Sequence, residues 1–182
     1  MSQAGRLAGA ALLLAIAWAY AAALAAPFHF DDFHVIVDNP RVHGLAAWWA
    51  SMPGIRPLLK LSYALDWSRS PAAAGFHATN LCLHVINALL VWAVARQWLA
   101  RLAPGLARPA LAAWGVALLF ALHPAATEAV TYVSGRSQSL MATFYLAALW
   151  THVHGQARGV GGAWRALSPL LFAAARGVRE TP

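Results

Sequence analysis

The feature that most constrains this chain is a series of apolar segments, the first of which runs unbroken from Leu7 to Ala26. A helix that crosses a hydrocarbon core of about 30 Å needs roughly 20 predominantly apolar residues. Only 10% of the 182 residues are charged and 60% are hydrophobic, whereas soluble domains carry about 25% charged residues. This balance excludes an ordinary soluble domain and a disordered tail. We therefore predict an all-α fold, a polytopic membrane helix bundle.

The apolar segments predict about four spans and a partial fifth, separated by an outer loop and an outer turn. The predicted spans cover residues 7–26, 77–99, 109–123 and 140–152, and the partial fifth covers 166–176. The outer loop and the outer turn are residues 27–75 and 124–139. Within the loop, residues 45–51 and 58–67 are predicted to form short interfacial helices, since tryptophan and snorkelling lysine favour the membrane interface.

The first apolar segment has two interpretations. Ala23, Leu24 and Ala25 form a small-x-small site of the kind that ends a cleavable signal peptide. The segment is longer than the apolar region of such a peptide, however, and further apolar segments follow it. We therefore expect a retained membrane anchor.

The basic residues indicate orientation. The net charge is +7, but the basic residues form no run and all except Lys60 are arginine, so we expect no nucleic-acid partner. The linker 96–108 holds three arginines, and the linker 152–165 holds two without an acidic residue. By the positive-inside rule both linkers and the N-terminus are cytoplasmic. Five of the six acidic residues then share the outer or lumenal face, namely Asp31, Asp32, Asp38, Asp66 and Glu128.

Four polar residues form a stripe along the second predicted span. At about 100° per residue, His77, Asn80, His84 and Asn87 fall within an arc of about 80° of one helix face. Polar side chains that face lipid are costly, so the stripe is predicted to face the bundle interior. Interhelical hydrogen bonding and the lining of a substrate cavity both remain open. His77 and His84 are too far apart along a helix, about 10 Å, to bind one metal.

The adjacent pair Asp31 and Asp32 is the leading candidate for a site. The pair closely follows the first predicted span and is flanked by Phe28, Phe30 and Phe33. Solvation of a loop does not require carboxylates among aromatic residues at a bilayer surface. The pattern therefore favours acid/base chemistry, metal binding or a phosphate-bearing ligand. Cys82 is the single cysteine, so an internal disulfide is excluded.

Several motifs, taken in order, resemble the N-terminal part of the transmembrane and tetratricopeptide-repeat O-mannosyltransferase family. They lie in the first outer loop, at the start of the second span and in the outer turn. They are Phe30, Asp31, Asp32 with Asp38, Asn39, Pro40; Arg56, Pro57, Leu58; Gly75, Phe76, His77 with Asn80 and His84; and Phe120 to Pro124 with Thr127 to Val130, Gly135 and Arg136.

The resemblance implies a GT-C type polytopic glycosyltransferase, which transfers a sugar such as mannose from a polyprenyl-phosphate donor to a hydroxyl of a protein serine or threonine. It places Asp31 and Asp32 in an acidic motif, one as catalytic base, with a divalent cation as a further role for the pair. Membrane lipid, the lipid-linked sugar and a protein acceptor are the implied partners. The residues it implies for donor or acceptor binding are Arg56, His77, His123, Glu128 and Arg136.

The chain also departs from the family pattern. Ser137 follows Arg136, where relatives commonly carry an acidic residue. Family members have many more spans and a long helical repeat array, so we expect this chain to be a truncated module that is inactive alone. The alternative is a non-catalytic membrane scaffold that docks a partner.

Overall fold

The computed structural model describes residues 3–52, 54–158 and 163–178, which contain helices and no strands. This confirms the all-α prediction. In these ranges eight α-helices follow one another: α1 (Gln3–Tyr20), α2 (Leu45–Ala50), α3 (Pro57–Arg69), α4 (Ala73–Leu102), α5 (Pro109–Ala121), α6 (Thr127–Thr131), α7 (Arg136–Arg158) and α8 (Ala163–Arg176). Helices α2 and α3 lie where the short helices of the first loop are predicted.

Within the described residues, two helices are long and apolar enough to cross a membrane. The first is α1 with its 3₁₀ extension, Gln3–Ala25, and the second is α4, which has 30 residues. A third span exists if α5 and the following segment Pro124–Thr131, which are bent by 56° from each other, cross as one broken element. The chain is thus a membrane protein, and the number of about four spans stays a prediction.

The bend after α5 has a local cause. Pro124 has no N–H and disfavours helical backbone at the residue before it, and His123 is extended with φ −68° and ψ 131°. The Nδ1 atom of His123 then accepts a hydrogen bond of 3.1 Å from the N–H of Ala125. This cap starts the short turn that leads into α6.

Helices α1, α4 and α5 share the first hydrophobic core. The Tyr20 hydroxyl of α1 donates a buried hydrogen bond of 3.1 Å to the carbonyl of Ala121 at the end of α5. The Trp114 ring lies against Gly9, where an added Cβ would approach it to 3.2 Å. Because α1 is part of this core, the structure suits a helix that is retained as an anchor.

The first outer loop packs into a second core at one end of the bundle. Helix α3 buries Leu59 and Tyr63 there, with exposed fractions of 3% and 0%. The core joins the first loop to α4, to the turn before α7 and to the end of α8; its buried members are Ile36, Val42, Leu59, Tyr63, Phe76, Val133 and Val178. The loop is therefore a folded element that holds its side chains in fixed places.

Candidate active site

The polar stripe of α4 faces the bundle interior, as predicted. Its four members, His77, Asn80, His84 and Asn87, have exposed fractions of 2% or less. Three of them donate hydrogen bonds of 2.9 to 3.0 Å to backbone carbonyls of other elements. The acceptors are Tyr132 for Asn80, Ala121 for His84 and Ser139 for Asn87. Three members of the stripe thus bond to other elements, and His84 and Asn87 also line a cavity of about 470 Å³.

Asp32 ties the first outer loop to the turn before α7. Its carboxylate is fully buried, with an exposed fraction of 0%. The Oδ1 atom accepts hydrogen bonds from the N–H of Ser134 at 2.8 Å and from the Ser134 hydroxyl at 2.6 Å, across 102 residues of sequence. The Oδ2 atom accepts one of 3.0 Å from the N–H of His29. Both oxygens are therefore engaged within the protein.

Asp31 points the other way. The residue before it, Phe30, has a left-handed backbone with φ 44°, which costs roughly 1 to 2 kcal/mol for a residue with a side chain. The N–H of Asp31 donates a hydrogen bond of 3.0 Å to the Tyr132 hydroxyl, and its side chain is exposed. Asp31 and Asp32 are consecutive residues of one helical turn and point in different directions, so one carboxylate is buried and the other is open to solvent.

The exposed carboxylate lines a cleft of about 990 Å³. The walls come from the end of α1, from the first outer loop and from the bent segment that includes α6. The lining residues are Ala26, His29, Phe30, Asp31, Pro124, Thr127, Glu128, Thr131 and Tyr132. The structure therefore brings the predicted site residues Asp31 and Glu128 into one cleft, although they lie in different loops.

Arg136 lies outside this cleft and is fully buried, with an exposed fraction of 0%. It forms an ion pair of 2.7 Å with Asp66 of α3. It also donates hydrogen bonds to the side chains of Asn80 and Ser62 and to the carbonyl of Phe76, at 2.7, 3.2 and 2.9 Å. All three nitrogens of the guanidinium group are thus engaged, and Arg136 joins α3, α4 and α7.

The remaining predicted binding residues also lie outside the cleft lining. His77 is 1% exposed, and neither ring nitrogen makes a hydrogen bond to any residue that the structure describes, although the carbonyls of Ala26 and Pro27 lie nearby. Arg56 is exposed and has a left-handed backbone, φ 56°, at the start of α3. His123 lines the cavity of about 470 Å³ beside the polar stripe.

Tyr63 of α3 is buried next to the positive charge of Arg136. Burial raises the pKa of its phenol, and the positive charges of Arg136 and Arg56 oppose that shift. The Arg136 guanidinium lies over the Tyr63 ring at 4.8 Å from its centroid. The phenol therefore stays neutral, and the arginine is held by a cation–π contact as well as by its ion pair.

A metal site would have few ligands in the described part of the chain. No three His, Cys, Asp or Glu side chains among those residues are grouped to hold an ion. Both oxygens of Asp32 accept hydrogen bonds from protein groups, so the carboxylates that remain for a cation in the cleft are Asp31 and Glu128. Cation binding at Asp31 and Asp32 stays a prediction, and the residues present do not by themselves complete a site.

Sequence reasoning missed two contributors to the site, Tyr132 and Ser134, and the pairing of Arg136 with Asp66. Tyr132 and Ser134 come shortly before Arg136, inside the motif region of the outer turn. Their place inside this motif region could have indicated that Tyr132 and Ser134 belong to the site. Asp66 gives no comparable signal, because its partner Arg136 is far away in sequence.

The chain is similar in sequence to several known proteins. Protein O-mannosyl-transferase F38B6.6 of Caenorhabditis elegans is 30% identical over 150 residues, which cover 74% of this chain and 21% of that protein. Protein O-mannosyl-transferase Tmtc2 of Drosophila melanogaster is 32% identical over 179 residues, covering 87% of this chain and 18% of that protein. Protein O-mannosyl-transferase TMTC1 of Homo sapiens is 31% identical over 186 residues, covering 91% and 20%.

No protein-family model and no solved structure matches the chain. The chain spans about a fifth of the length of the curated relatives it matches. The identity nevertheless extends over most of this chain in several relatives that carry one name. The chain belongs to the TMTC protein O-mannosyl-transferase family.

Proposed function

We propose that this chain supplies part of the active site of a membrane mannosyltransferase, which transfers mannose from a polyprenyl-phosphate donor to a serine or threonine hydroxyl of a protein. The observation that carries the proposal is that Asp31 and Glu128, from two separate loops, line one cleft. The names of the relatives support the sugar and the protein acceptor. The apolar helices beside the cleft suit a donor that is anchored in the bilayer.

Asp31 is the proposed general base. Its carboxylate is exposed in the cleft, so an acceptor hydroxyl can reach it and give up its proton as the oxygen attacks the anomeric carbon. The new bond joins that oxygen to the sugar, and the bond from the sugar to the donor phosphate breaks. An inverting displacement of this kind needs one base and no covalent enzyme intermediate. Glu128 lies in the same cleft and is proposed to accept a hydrogen bond from a substrate hydroxyl.

Asp32 is the proposed positioning residue. Three hydrogen bonds hold its buried carboxylate, so substrate does not reach it without a rearrangement of the loop. Its bonds to Ser134 hold the first loop against the turn before α7. This contact fixes the place of Asp31 relative to Glu128. Asp31 thus acts on the substrate directly, and Asp32 acts by holding Asp31 in place.

The test changes each aspartate separately. At the positions of human TMTC1 that align with Asp31 and Asp32, each is changed to asparagine, and mannose transfer to an acceptor peptide is measured. The first change is expected to lower transfer by about 100-fold or more, the magnitude of a lost general base. In this chain, Asp31→Asn is expected to leave the unfolding free energy unchanged, while Asp32→Asn lowers it by about 1 to 3 kcal/mol because a buried charge-assisted network is weakened.

Asp38→Asn is the matched control, since Asp38 is an exposed aspartate of the same loop that does not line the cleft. It is expected to alter neither transfer nor stability. Unchanged transfer after both site aspartates are replaced would contradict the catalytic proposal. The chain would then be a membrane scaffold whose acids serve the fold.

A further inference from the structure

Phe30 combines an unusual backbone with an unusual exposure. Its φ of 44° lies in the left-handed region, which glycine and asparagine occupy more easily than a large aromatic residue. Its side chain is 87% exposed, so burial in the fold does not offset the strain. The ring makes a tilted contact with His29 at a centroid distance of 6.4 Å. The fold thus keeps a strained residue whose ring contributes little to the core.

The neighbours of Phe30 require its backbone conformation but not its ring. The N–H of Asp32 donates to the carbonyl of His29 at 2.9 Å, and the N–H of Asp31 donates to Tyr132. Together with the buried Asp32 carboxylate, these bonds determine the turn. Glycine at position 30 would satisfy all of them with less strain. The ring therefore indicates an interaction with something outside the chain.

The ring lies where a substrate sugar would meet the base. Phe30 lines the same cleft as Asp31 and Glu128. The C–H face of a pyranose ring packs well on a flat aromatic face, while carboxylates at its rim accept hydrogen bonds from the hydroxyls. We infer that Phe30 is the platform on which the transferred hexose of the donor lies, an inference that rests on the proposed function.

A bilayer is the other partner that an exposed phenylalanine would fit. The bilayer interior would accept any apolar side chain at this position and would disfavour the charged neighbours Asp31 and Glu128. A sugar uses both the aromatic face and the carboxylates. The surroundings of Phe30 therefore favour the sugar. The two partners can be told apart, because a sugar requires a flat ring at position 30 and a bilayer requires only an apolar side chain.

The experiment measures donor binding by the 182-residue chain in lipid nanodiscs. The probe is mannose linked to a short, water-soluble prenyl phosphate, and the variants are Phe30→Tyr, Phe30→Leu and Phe30→Gly. Tyrosine is expected to keep the affinity, because the flat ring remains. Leucine and glycine are expected to weaken it about tenfold, the size of a lost aromatic contact. Thermal unfolding of each variant should match the unmodified chain or exceed it, since the side chain is exposed.

Phe33→Leu is the matched control, because Phe33 is 47% exposed in the same loop and lies outside the cleft lining. It is expected to bind the probe normally. Three results would each overturn the inference. They are normal probe binding by Phe30→Leu, a loss of probe affinity in Phe33→Leu as large as in Phe30→Leu, and failure of the unmodified chain to bind the probe. The proposed function is tested separately, by transfer: the change aligned with Asp31→Asn in the human relative is expected to abolish transfer, whereas the inference depends on probe binding by the Phe30 variants. Retained transfer there would overturn the proposed function instead.

Discussion

Asp66 pairs with two arginines whose surroundings make them unequal. Arg136 lies 2.7 Å from one carboxylate oxygen and its side chain is 0% exposed, while Arg69 lies 3.4 Å from the other and is 74% exposed. A buried charge that loses its partner remains desolvated with no ion pair to offset the cost. In an exposed pair, water screens the attraction between the two charges. The same carboxylate therefore takes part in a structural ion pair and in a surface contact of little energetic weight.

Removal of Arg136 is predicted to be the more damaging change. Arg136→Leu should lower the unfolding free energy by about 3 to 5 kcal/mol, because Asp66 and the Asn80 side chain are left buried without their cation. Arg69→Leu should lower it by about 1 kcal/mol or less. Unfolding in mixed micelles titrated with SDS measures both. Equal losses for the two variants would show that the burial of Arg136 is not what makes its pair important.

At this scale the sequence predicts candidate residues but not the surroundings of their side chains. Asp31 and Asp32 are conspicuous as adjacent acids among aromatic residues, but their division into an exposed and a buried carboxylate depends on Ser134, which lies 102 residues away. Arg136 is likewise buried because of a distant partner, Asp66 of α3, which local pattern does not reveal; its contact with substrate stays a prediction. Long-range partners decide which polar groups remain available to a ligand.

At the scale of elements, the junction between α6 and α7 depends on Gly135. A Cβ at this position would lie 2.6 Å from the carbonyl oxygen of Glu128 and 3.0 Å from that of Tyr132. Both obstacles are backbone atoms, which cannot rotate away as a side-chain tip can. Tyr132 and Glu128 both belong to the bent segment that forms one wall of the cleft, so this close approach affects the shape of that wall.

Gly135→Ala is therefore predicted to destabilise the protein by about 1 to 3 kcal/mol through overpacking. Gly115→Ala is the matched control, because an added Cβ meets nothing within 4 Å in the middle of α5. That change should be neutral or should stabilise by about 0.5 to 1 kcal/mol, since alanine favours the helix over glycine. Melting of the two variants in nanodiscs gives the comparison, and a stabilised Gly135→Ala variant would refute the close approach.

Helix α1 illustrates what composition and packing each contribute. Its apolar length predicts a span, but length alone leaves the cleavable leader open. Its contacts add a reason for retention: Leu12, Ile16 and Tyr20 are buried in the first core. We predict that the intact mass of the purified protein includes α1. A mass that corresponds to cleavage after Ala25 would contradict this prediction and would remove one wall of that core.

At the scale of the whole molecule, two sets of contacts mark opposite ends of the bundle. At one end the first outer loop is tied to the turn before α7 by the bonds of Asp32 to Ser134. At the other end Arg101, near the end of α4, donates a hydrogen bond of 3.3 Å to the carbonyl of Val153 in α7. Helix α4, with 30 residues, extends about 45 Å at 1.5 Å per residue and separates the two ends.

Charge then assigns these ends to membrane faces, and labelling can test the assignment. The positive-inside rule places Arg96, Arg101 and Arg108 in the cytoplasm, so the cleft end is predicted to face outward. In a Cys82→Ser background, Asp38→Cys should react with a membrane-impermeant maleimide on intact spheroplasts of a bacterial expression host. Arg108→Cys should react only after permeabilisation, because both positions are exposed and only their membrane face differs. The reverse pattern would place the cleft in the cytoplasm, and labelling of both cysteines from outside would contradict a membrane-spanning α4.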